Sequence, residues 1–92
     1  MNGYRRRKKS HQEGLSSYEE DLHGRLAGCG LTPRQQNVVE LVMRGLSNRE
    51  IATQLLIEEY TVKVHMRDIF YRLNVHRRTA LVAKILQLTY PG

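Results

Sequence analysis

Residues 45–73 read GLSNREIATQLLIEEYTVKVHMRDIFYRL, and this stretch decides the fold. Ser47 followed by Glu50 is the pattern of a capping box, which predicts the start of a helix of about eight residues. A tight connection at 56–58 follows, and a longer helix is predicted over about 59–73. The core-facing stripe of this longer helix consists of Val62, Met66, Ile69 and Leu73. A short helix, a tight turn and a longer helix are the parts of a helix-turn-helix, whose second helix enters the major groove of DNA.

The outer face of the longer helix has mixed chemistry. The residues opposite the core stripe are Tyr60, Val64, Arg67 and Tyr71, with Lys63 on one flank. Arg and Lys side chains can bond guanine, and an apolar group can meet a thymine methyl, so the face is suited to reading base edges. A solvated helix face with scattered apolar residues explains the same pattern equally well.

A further helix is predicted before this pair, over about 33–44. Thr32 is a good N-cap and Pro33 suits the first helical position. Gln35 stands where a capping box places Glu or Gln, and Gly45 is a stop signal after the helix.

The last helix is predicted over 79–88, after Asn74, which can adopt the left-handed conformation that ends a helix. Its predicted core stripe consists of Val82, Leu86 and Thr89. A second apolar stripe, which widens the arc to about 160°, consists of Leu81, Ile85 and Leu88. We expect this second stripe to pair two copies about a twofold axis. No convincing strand or repeat appears, so the expected fold is all-α, with four helices in a domain spanning 31–92.

A short linker helix is predicted within residues 15–30. Ser17 and Glu20 have capping-box spacing, and the helix should end near Gly28. Its apolar face consists of Tyr18, Leu22 and Leu26. This helix either lies against the main domain or is the remnant of a connection to something larger.

The chain is basic, and the charge is concentrated at its start. It has 92 residues, with 15 Lys and Arg against 9 Asp and Glu, for a net charge of +6. This balance suits a polyanion as partner, and it fits a merely basic soluble domain about as well. Residues 1–14 include five consecutive cations at 5–9 and little that is apolar, so we expect a disordered tail. The tail either follows DNA phosphates or is simply solvated.

Several classes of function are disfavoured. A chain this short has little room for a deep active site, and no apolar run is long enough for a membrane span or a signal peptide, so a cytoplasmic protein is expected. Cys29 is the single cysteine, and His11, His23, His65 and His76 are not at metal-ligand spacings from it. We expect no enzyme activity, no metal, no cofactor and no small-molecule ligand.

Four spaced motifs together resemble the LuxR-type helix-turn-helix family, also called GerE-like, which includes the output domains of NarL-type response regulators. They are LTPRQ at 31–35, GLSNREIA at 45–52, TVKVH at 61–65 and L-N-V-x-x-R-T at 73–79. The resemblance covers 31–82. It implies a four-helix domain in which the third helix reads the major groove and the fourth helps to form a dimer.

The resemblance also implies roles for six residues. The base-facing positions correspond to Lys63, Val64 and Arg67. The positions that approach phosphates correspond to Arg49, Thr61 and His65.

The sequence departs from the family pattern at two helix starts. Glu58 stands where Ser or Thr is usual, and Glu59 follows it. Two carboxylates suit the dipole at a helix N-terminus, but they would repel nearby phosphates, so we expect lowered DNA affinity. At the last helix, Arg77 and Ala80 replace a capping box worth roughly 1 kcal/mol, so its start is expected to fray.

The resulting prediction is a bacterial transcription regulator that binds specific double-stranded DNA as a homodimer and is associated with the nucleoid when bound. RNA polymerase is a further candidate partner. The first 30 residues leave no room for a receiver or sensing domain, so we expect a stand-alone regulator or an excised output domain. The alternative is a protein-interaction module that docks on RNA polymerase or another regulator, which Glu58 and Glu59 favour. A nonspecific nucleic-acid binder relying on the basic tail is a second alternative.

Overall fold

Five α-helices make up the part of the chain that the structure describes. The computed structural model describes the backbone of residues 13–89 and the side chains of residues 20–89. The helices are α1 (Glu13–Gly28), α2 (Pro33–Met43), α3 (Asn48–Leu55), α4 (Glu59–Leu73) and α5 (Arg78–Thr89). No strand occurs within residues 13–89, and the all-α fold class is confirmed. Residues 1–12 of the tail predicted at 1–14 lie outside the described residues, whereas residues 13 and 14 are helical and belong to α1.

Capping boxes start α2 and α3, as predicted. Thr32 Oγ1 accepts from the Gln35 N–H at 3.1 Å, and Gln35 Oε1 accepts from the Thr32 N–H at 3.0 Å. Ser47 Oγ accepts from the Glu50 N–H at 3.2 Å, and Glu50 Oε1 accepts from the Ser47 N–H at 2.8 Å. Each box satisfies N–H groups that the first turn of a helix leaves without intrahelical partners.

Residues in the left-handed conformation end α3 and α4. Asn74 has φ 58° and ψ 48°, as predicted for the end of α4. Leu56 ends α3 with φ 60° and ψ 44°, and its side chain is 90% exposed. A residue with a Cβ adopts this conformation at a cost of roughly 1–2 kcal/mol. Leu56 therefore accepts backbone strain without gaining burial in return.

The core lies where α2, α3 and α4 meet, with α1 and α5 closing it. The stripe predicted for α4 is buried, and it consists of Val62, Met66, Ile69 and Leu73. The side chains that α2 and α3 bury are Val38, Val39, Leu41, Val42, Ile51 and Ala52. The spacing of apolar residues in α4 therefore identified its inner face.

The N-terminal helix α1 is built into the same core. Leu22 and Leu26 are fully buried, and α1 contacts α2 and α5. The imidazole of His23 bridges to α2, with Nδ1 at 3.1 Å from Gln36 Oε1 and Nε2 at 2.9 Å from Glu40 Oε1. Of the two arrangements expected for this helix, the structure has the one in which it lies against the domain.

The start predicted for α1 is wrong. The helix begins at Glu13, so Ser17 lies inside it rather than at its N-cap. The Ser17 to Glu20 spacing fits a capping box, but residues before Ser17 also take helical conformation, and a short-range motif does not exclude that. The side chains of Ser17 and Tyr18 lie outside those the structure describes.

The burial of the two apolar stripes of α5 differs from the prediction at three leucine and isoleucine positions. Leu81 and Ile85, expected at a dimer contact, are fully buried in the core, and Leu88 is half-buried. Leu86, expected in the core, is 43% exposed, and Val82 is half-buried. The reason is α1, which packs against α5 and covers the stripe that would otherwise have faced outward. Leu81 and Ile85 are therefore corrected to core residues.

The start of α5 is anchored by a contact across the fold. The Arg78 guanidinium donates to Asn48 Oδ1 at 2.8 Å and to the Leu46 carbonyl. These two acceptors lie on either side of Ser47, the N-cap of α3. The contact joins the beginning of α5 to the beginning of α3.

The described residues contain neither a membrane-spanning helix nor a cluster of metal ligands. No helix within residues 13–89 is both long and apolar enough to cross a membrane. No group of three or more His, Cys, Asp or Glu side chains in the described part of the chain is arranged to hold a metal ion.

Candidate nucleic-acid interface

The outward side of α4 forms the candidate interface. Because the stripe of Val62, Met66, Ile69 and Leu73 is buried, the opposite side of the helix faces away from the core. Lys63 and Arg67 are exposed there, and Tyr60 and Tyr71 are 73% and 87% exposed. This side therefore combines positive charge with two aromatic rings outside the core.

The structure brings the three predicted base-reading residues together. Lys63 and Arg67 are one turn apart, about 6 Å along the helix axis. Val64 lies between them in sequence and is half-buried. At 100° per residue, the three Cα–Cβ bonds lie within an arc of about 100°. Two exposed donors and a partly exposed apolar group thus share one side of α4.

The three residues predicted to approach phosphates are more dispersed. Arg49 is exposed in the first turn of α3. Thr61 and His65 are half-buried on the flank of α4 away from Lys63. Thr61 and His65 border the outward side of α4, whereas Arg49 lies on a different helix.

The start of α4 has an unusual cap. Glu58 occupies the N-cap position with φ −73° and ψ 148°, yet its side chain makes no capping hydrogen bond within the described chain. Glu58 and Glu59 are both exposed. Their charges favour the positive end of the helix dipole and would oppose an approaching phosphate.

The support beneath α4 includes a residue to which the sequence analysis assigned no role. Arg78 belongs to the motif at 73–79, and its bonds to Asn48 and Leu46 fix the start of α3. In the sequence, this function was indicated only by the place of Arg78 in the motif at 73–79. Its partner Asn48 is 30 residues away, so local spacing could not reveal the contact.

Comparisons with known proteins agree with this architecture. Residues 30–85 match the family described as bacterial regulatory proteins, luxR family. A nitrate/nitrite response regulator protein homolog of Haemophilus influenzae is 52% identical over 50 residues, covering 54% of this chain and 24% of that protein. The nitrate/nitrite response regulator protein NarP of Escherichia coli is 46% identical over 57 residues, covering 62% of this chain and 26% of that protein.

A solved structure extends the likeness to most of the chain. The low-resolution structure of response regulator StyR matches with a TM-score of 0.58 and 36% identity. The match covers 94% of this chain and 39% of that one. This chain spans about a quarter of the length of the two nitrate/nitrite relatives.

Proposed function

The chain belongs to the LuxR family of bacterial regulatory proteins, and from this premise we propose that it regulates transcription by reading double-stranded DNA through α4. Members of this family are helix-turn-helix regulators that bind DNA. The family match spans α2, α3, α4 and most of α5. In the function that we propose, α4 recognises a specific DNA sequence through named side chains.

The observation that carries the proposal is the exposure of Lys63 and Arg67 on the side of α4 opposite its buried stripe. When such a helix lies in the major groove, a cationic donor can bond O6 and N7 of guanine. Val64, beside them, can meet a thymine methyl. We assign these three residues to base reading.

Contacts to the DNA backbone set the position of α4 in the groove. Arg49 stands in the first turn of α3, the helix that supports α4, and it is exposed. We assign Arg49 to contacts with DNA phosphates, together with Thr61 and His65 on the flank of α4. Such contacts add affinity and fix orientation without distinguishing sequences.

Selection of bound sequences from a random duplex pool at physiological salt tests the proposal. A short inverted or direct repeat should be enriched, because specific and nonspecific affinity differ by roughly a thousandfold or more. Arg67→Ala and Lys63→Ala should each cost about 1 to 3 kcal/mol on the selected site and little on scrambled duplex.

Two variants separate base reading from general charge effects. Arg49→Ala should weaken both duplexes by similar factors and lower the salt slope by about one. Arg25→Ala removes the same charge from α1, where Arg25 is paired with Asp21 at 3.0 Å, and should preserve discrimination. Equal losses on both duplexes for Arg67→Ala and Lys63→Ala would contradict base reading by α4.

We also propose that two copies pair through α5, on the stripe of Val82 and Leu86. Leu86 is 43% exposed and Val82, one turn before it, is half-buried against the core, so the apolar surface that α5 offers outward comes mainly from Leu86. A twofold pair would match the symmetry of an inverted repeat. Leu86→Asp should disrupt the dimer and so lower the particle mass measured by sedimentation. An unchanged mass would show that this edge is not the dimer contact.

A second candidate function is docking on another protein, such as RNA polymerase or a larger regulator. The exposed carboxylates of Glu58 and Glu59 at the start of α4 favour it, because they disfavour phosphates nearby. If the pool selection enriches no sequence and Glu58→Gln with Glu59→Gln does not raise DNA affinity, this second function becomes the better one.

A further inference from the structure

The contact between α1 and α2 holds an imidazole between two hydrogen-bond acceptors. His23 Nδ1 lies 3.1 Å from Gln36 Oε1, and His23 Nε2 lies 2.9 Å from Glu40 Oε1. The side chains of His23 and Glu40 are 25% and 19% exposed, so the contact is largely removed from bulk water. We call this contact of His23, Gln36 and Glu40 the His23 latch.

The orientation of the Gln36 amide is fixed from its other side. Gln36 Nε2 donates to the Leu31 carbonyl at 3.0 Å, which leaves Oε1 facing His23. Turning the amide around would place Oε1 against the Leu31 carbonyl, and two acceptors do not bond each other. Glu40 presents a carboxylate, which only accepts when it is ionised. Both ring nitrogens of His23 therefore face acceptors.

A neutral imidazole cannot satisfy both of these acceptors. It has one N–H, and the lone pair on its second nitrogen would point at an acceptor oxygen. The imidazolium form donates from both nitrogens. The protonated ring therefore makes two hydrogen bonds from α1 to α2, and the neutral ring makes one. Histidine side chains ordinarily change between these forms within about pH 5 to 8.

No other described charged group of the neighbouring helices bonds the His23 ring. Arg44 donates to the second carboxylate oxygen of Glu40, Oε2, at 2.7 Å and leaves Oε1 to His23. The remaining described charged side chains of α1, α2 and α5 make no hydrogen bond to the ring, and they are Glu20, Asp21, Arg25, Arg34, Arg78 and Lys84. The protonation state of His23 therefore decides the bonding at this contact.

The His23 latch holds a helix that covers part of the core. Leu22 is fully buried beside His23, and α1 packs against both α2 and α5. Leu81 and Ile85 of α5 are fully buried under this packing. A segment that loses a contact opens locally more often, without unfolding of the whole domain. Weakening the latch therefore loosens α1 and uncovers apolar side chains of α5.

We propose that the His23 latch is a pH-sensitive device that fixes α1 on the domain when His23 is protonated. When the ring gives its proton to solvent, one of the two hydrogen bonds to α2 is lost. Because the folded chain favours the protonated ring, the stabilisation is present at about pH 5.5 and is lost toward pH 8. The inference goes beyond the proposed function and does not depend on DNA binding.

Thermal unfolding of the full chain at pH 5.5 and pH 8, followed by circular dichroism, tests the proposal. His23→Gln is compared with the unchanged protein, because glutamine keeps one donor and does not titrate. Both proteins keep the other histidines, so the difference between their Tm values isolates His23. This difference should shrink by about 4 to 8 °C from pH 5.5 to pH 8, as expected for about one hydrogen bond in a domain of this size. An equal difference at both pH values would overturn the proposal.

Glu40→Gln tests the same point without changing the histidine. The new amide has the size of the carboxylate and can donate to Nε2 while Nδ1–H donates to Gln36, so the neutral ring is satisfied on both sides. The part of the pH dependence that His23→Gln removes should therefore be absent. Asp21→Asn is the matched control, because Asp21 is paired with Arg25 at 3.0 Å and does not bond the ring. A pH profile of Glu40→Gln equal to that of Asp21→Asn would contradict the latch.

Hydrogen exchange shows whether the latch acts on α1. At pH 5.5 the amides of α1 should exchange about fivefold faster in His23→Gln than in the unchanged protein, the factor that corresponds to about 1 kcal/mol. The ratio should fall toward one at pH 8, and comparison at one pH cancels the pH dependence of exchange itself. If the α1 amides exchange alike in both proteins at pH 5.5, the latch does not control the docking of α1, and the proposal is overturned.

Discussion

The two helices of the helix-turn-helix begin in opposite ways. At the start of α3, Ser47 and Glu50 exchange two hydrogen bonds, and Arg78 bonds the residues on either side of Ser47. At the start of α4, Glu58 makes no side-chain cap within the described chain. The supporting helix is thus held by specific hydrogen bonds, while the helix proposed to meet DNA has an open first turn.

The contrast indicates what holds each helix in place. The short α3 buries only Ile51 and Ala52, so its terminal hydrogen bonds are a substantial part of its support. The longer α4 buries four side chains along its length and depends on packing. An uncapped first turn leaves backbone N–H groups of α4 available to solvent or to a ligand.

Removing a buried side chain of α4 should have the largest effect. Ile69→Ala should lower the free energy of unfolding by about 2 to 5 kcal/mol, since Ile69 is fully buried and its loss leaves a cavity. Urea denaturation measures the change. Tyr71→Ala, on the exposed side of the same helix, should stay within about 0.5 kcal/mol. Similar losses for both variants would show that packing does not hold α4.

Arg78→Ala should have the next largest effect, at the start of α3. It removes bonds to Asn48 Oδ1 and to the Leu46 carbonyl, and hydrogen bonds involving a charged group contribute about 1.5 to 3 kcal/mol. Arg78→Lys should recover only part of the loss, because one ammonium does not reproduce the guanidinium fork. Arg77→Ala, at an exposed neighbour, is the control. Equal stability of the Arg77 and Arg78 variants would mean that the anchor contributes nothing.

Substitutions at the two N-cap residues test the difference between the two helix starts directly. Ser47→Ala should destabilise the protein by about 1 kcal/mol, whereas Glu58→Ala should change little, because only Ser47 makes a capping bond. Glu58→Ser should stabilise the protein by somewhat less than about 1 kcal/mol, because serine supplies the missing cap. Thermal unfolding followed by circular dichroism distinguishes the three variants. A loss for Glu58→Ala equal to that for Ser47→Ala would contradict the difference between the two helix starts.

The smallest effect is expected at the turn that joins the two helices. Leu56→Gly should stabilise the protein by somewhat under about 1 kcal/mol, because glycine avoids the left-handed penalty but loses more entropy on folding. Leu56 is 90% exposed, so no burial is lost. Leu55→Gly, inside α3, should destabilise it instead. Chemical denaturation of both variants is the measurement, and a destabilised Leu56→Gly would show that this side chain has a role in the turn.

The candidate site could be predicted only partly from the sequence. Its location on α4 followed from the buried stripe of that helix, which leaves Lys63 and Arg67 on the other side. The roles of Lys63, Val64 and Arg67 at bases stay predictions, as do those of Arg49, Thr61 and His65 at phosphates. The anchoring of α3 by Arg78 was not foreseen, because its partners Asn48 and Leu46 lie about thirty residues away in the chain.

By itself the sequence determined the features that depend on neighbours three or four residues apart. These include the capping boxes at Thr32 and Ser47, the left-handed end at Asn74 and the inner face of α4. The tertiary structure alone decided which stripe of α5 is buried, where α1 lies and what Arg78 holds. A helix that is apolar on two sides does not specify which side is covered, because that depends on a partner distant in sequence. For α5 that partner is α1, and burial of Leu81 and Ile85 follows from its position.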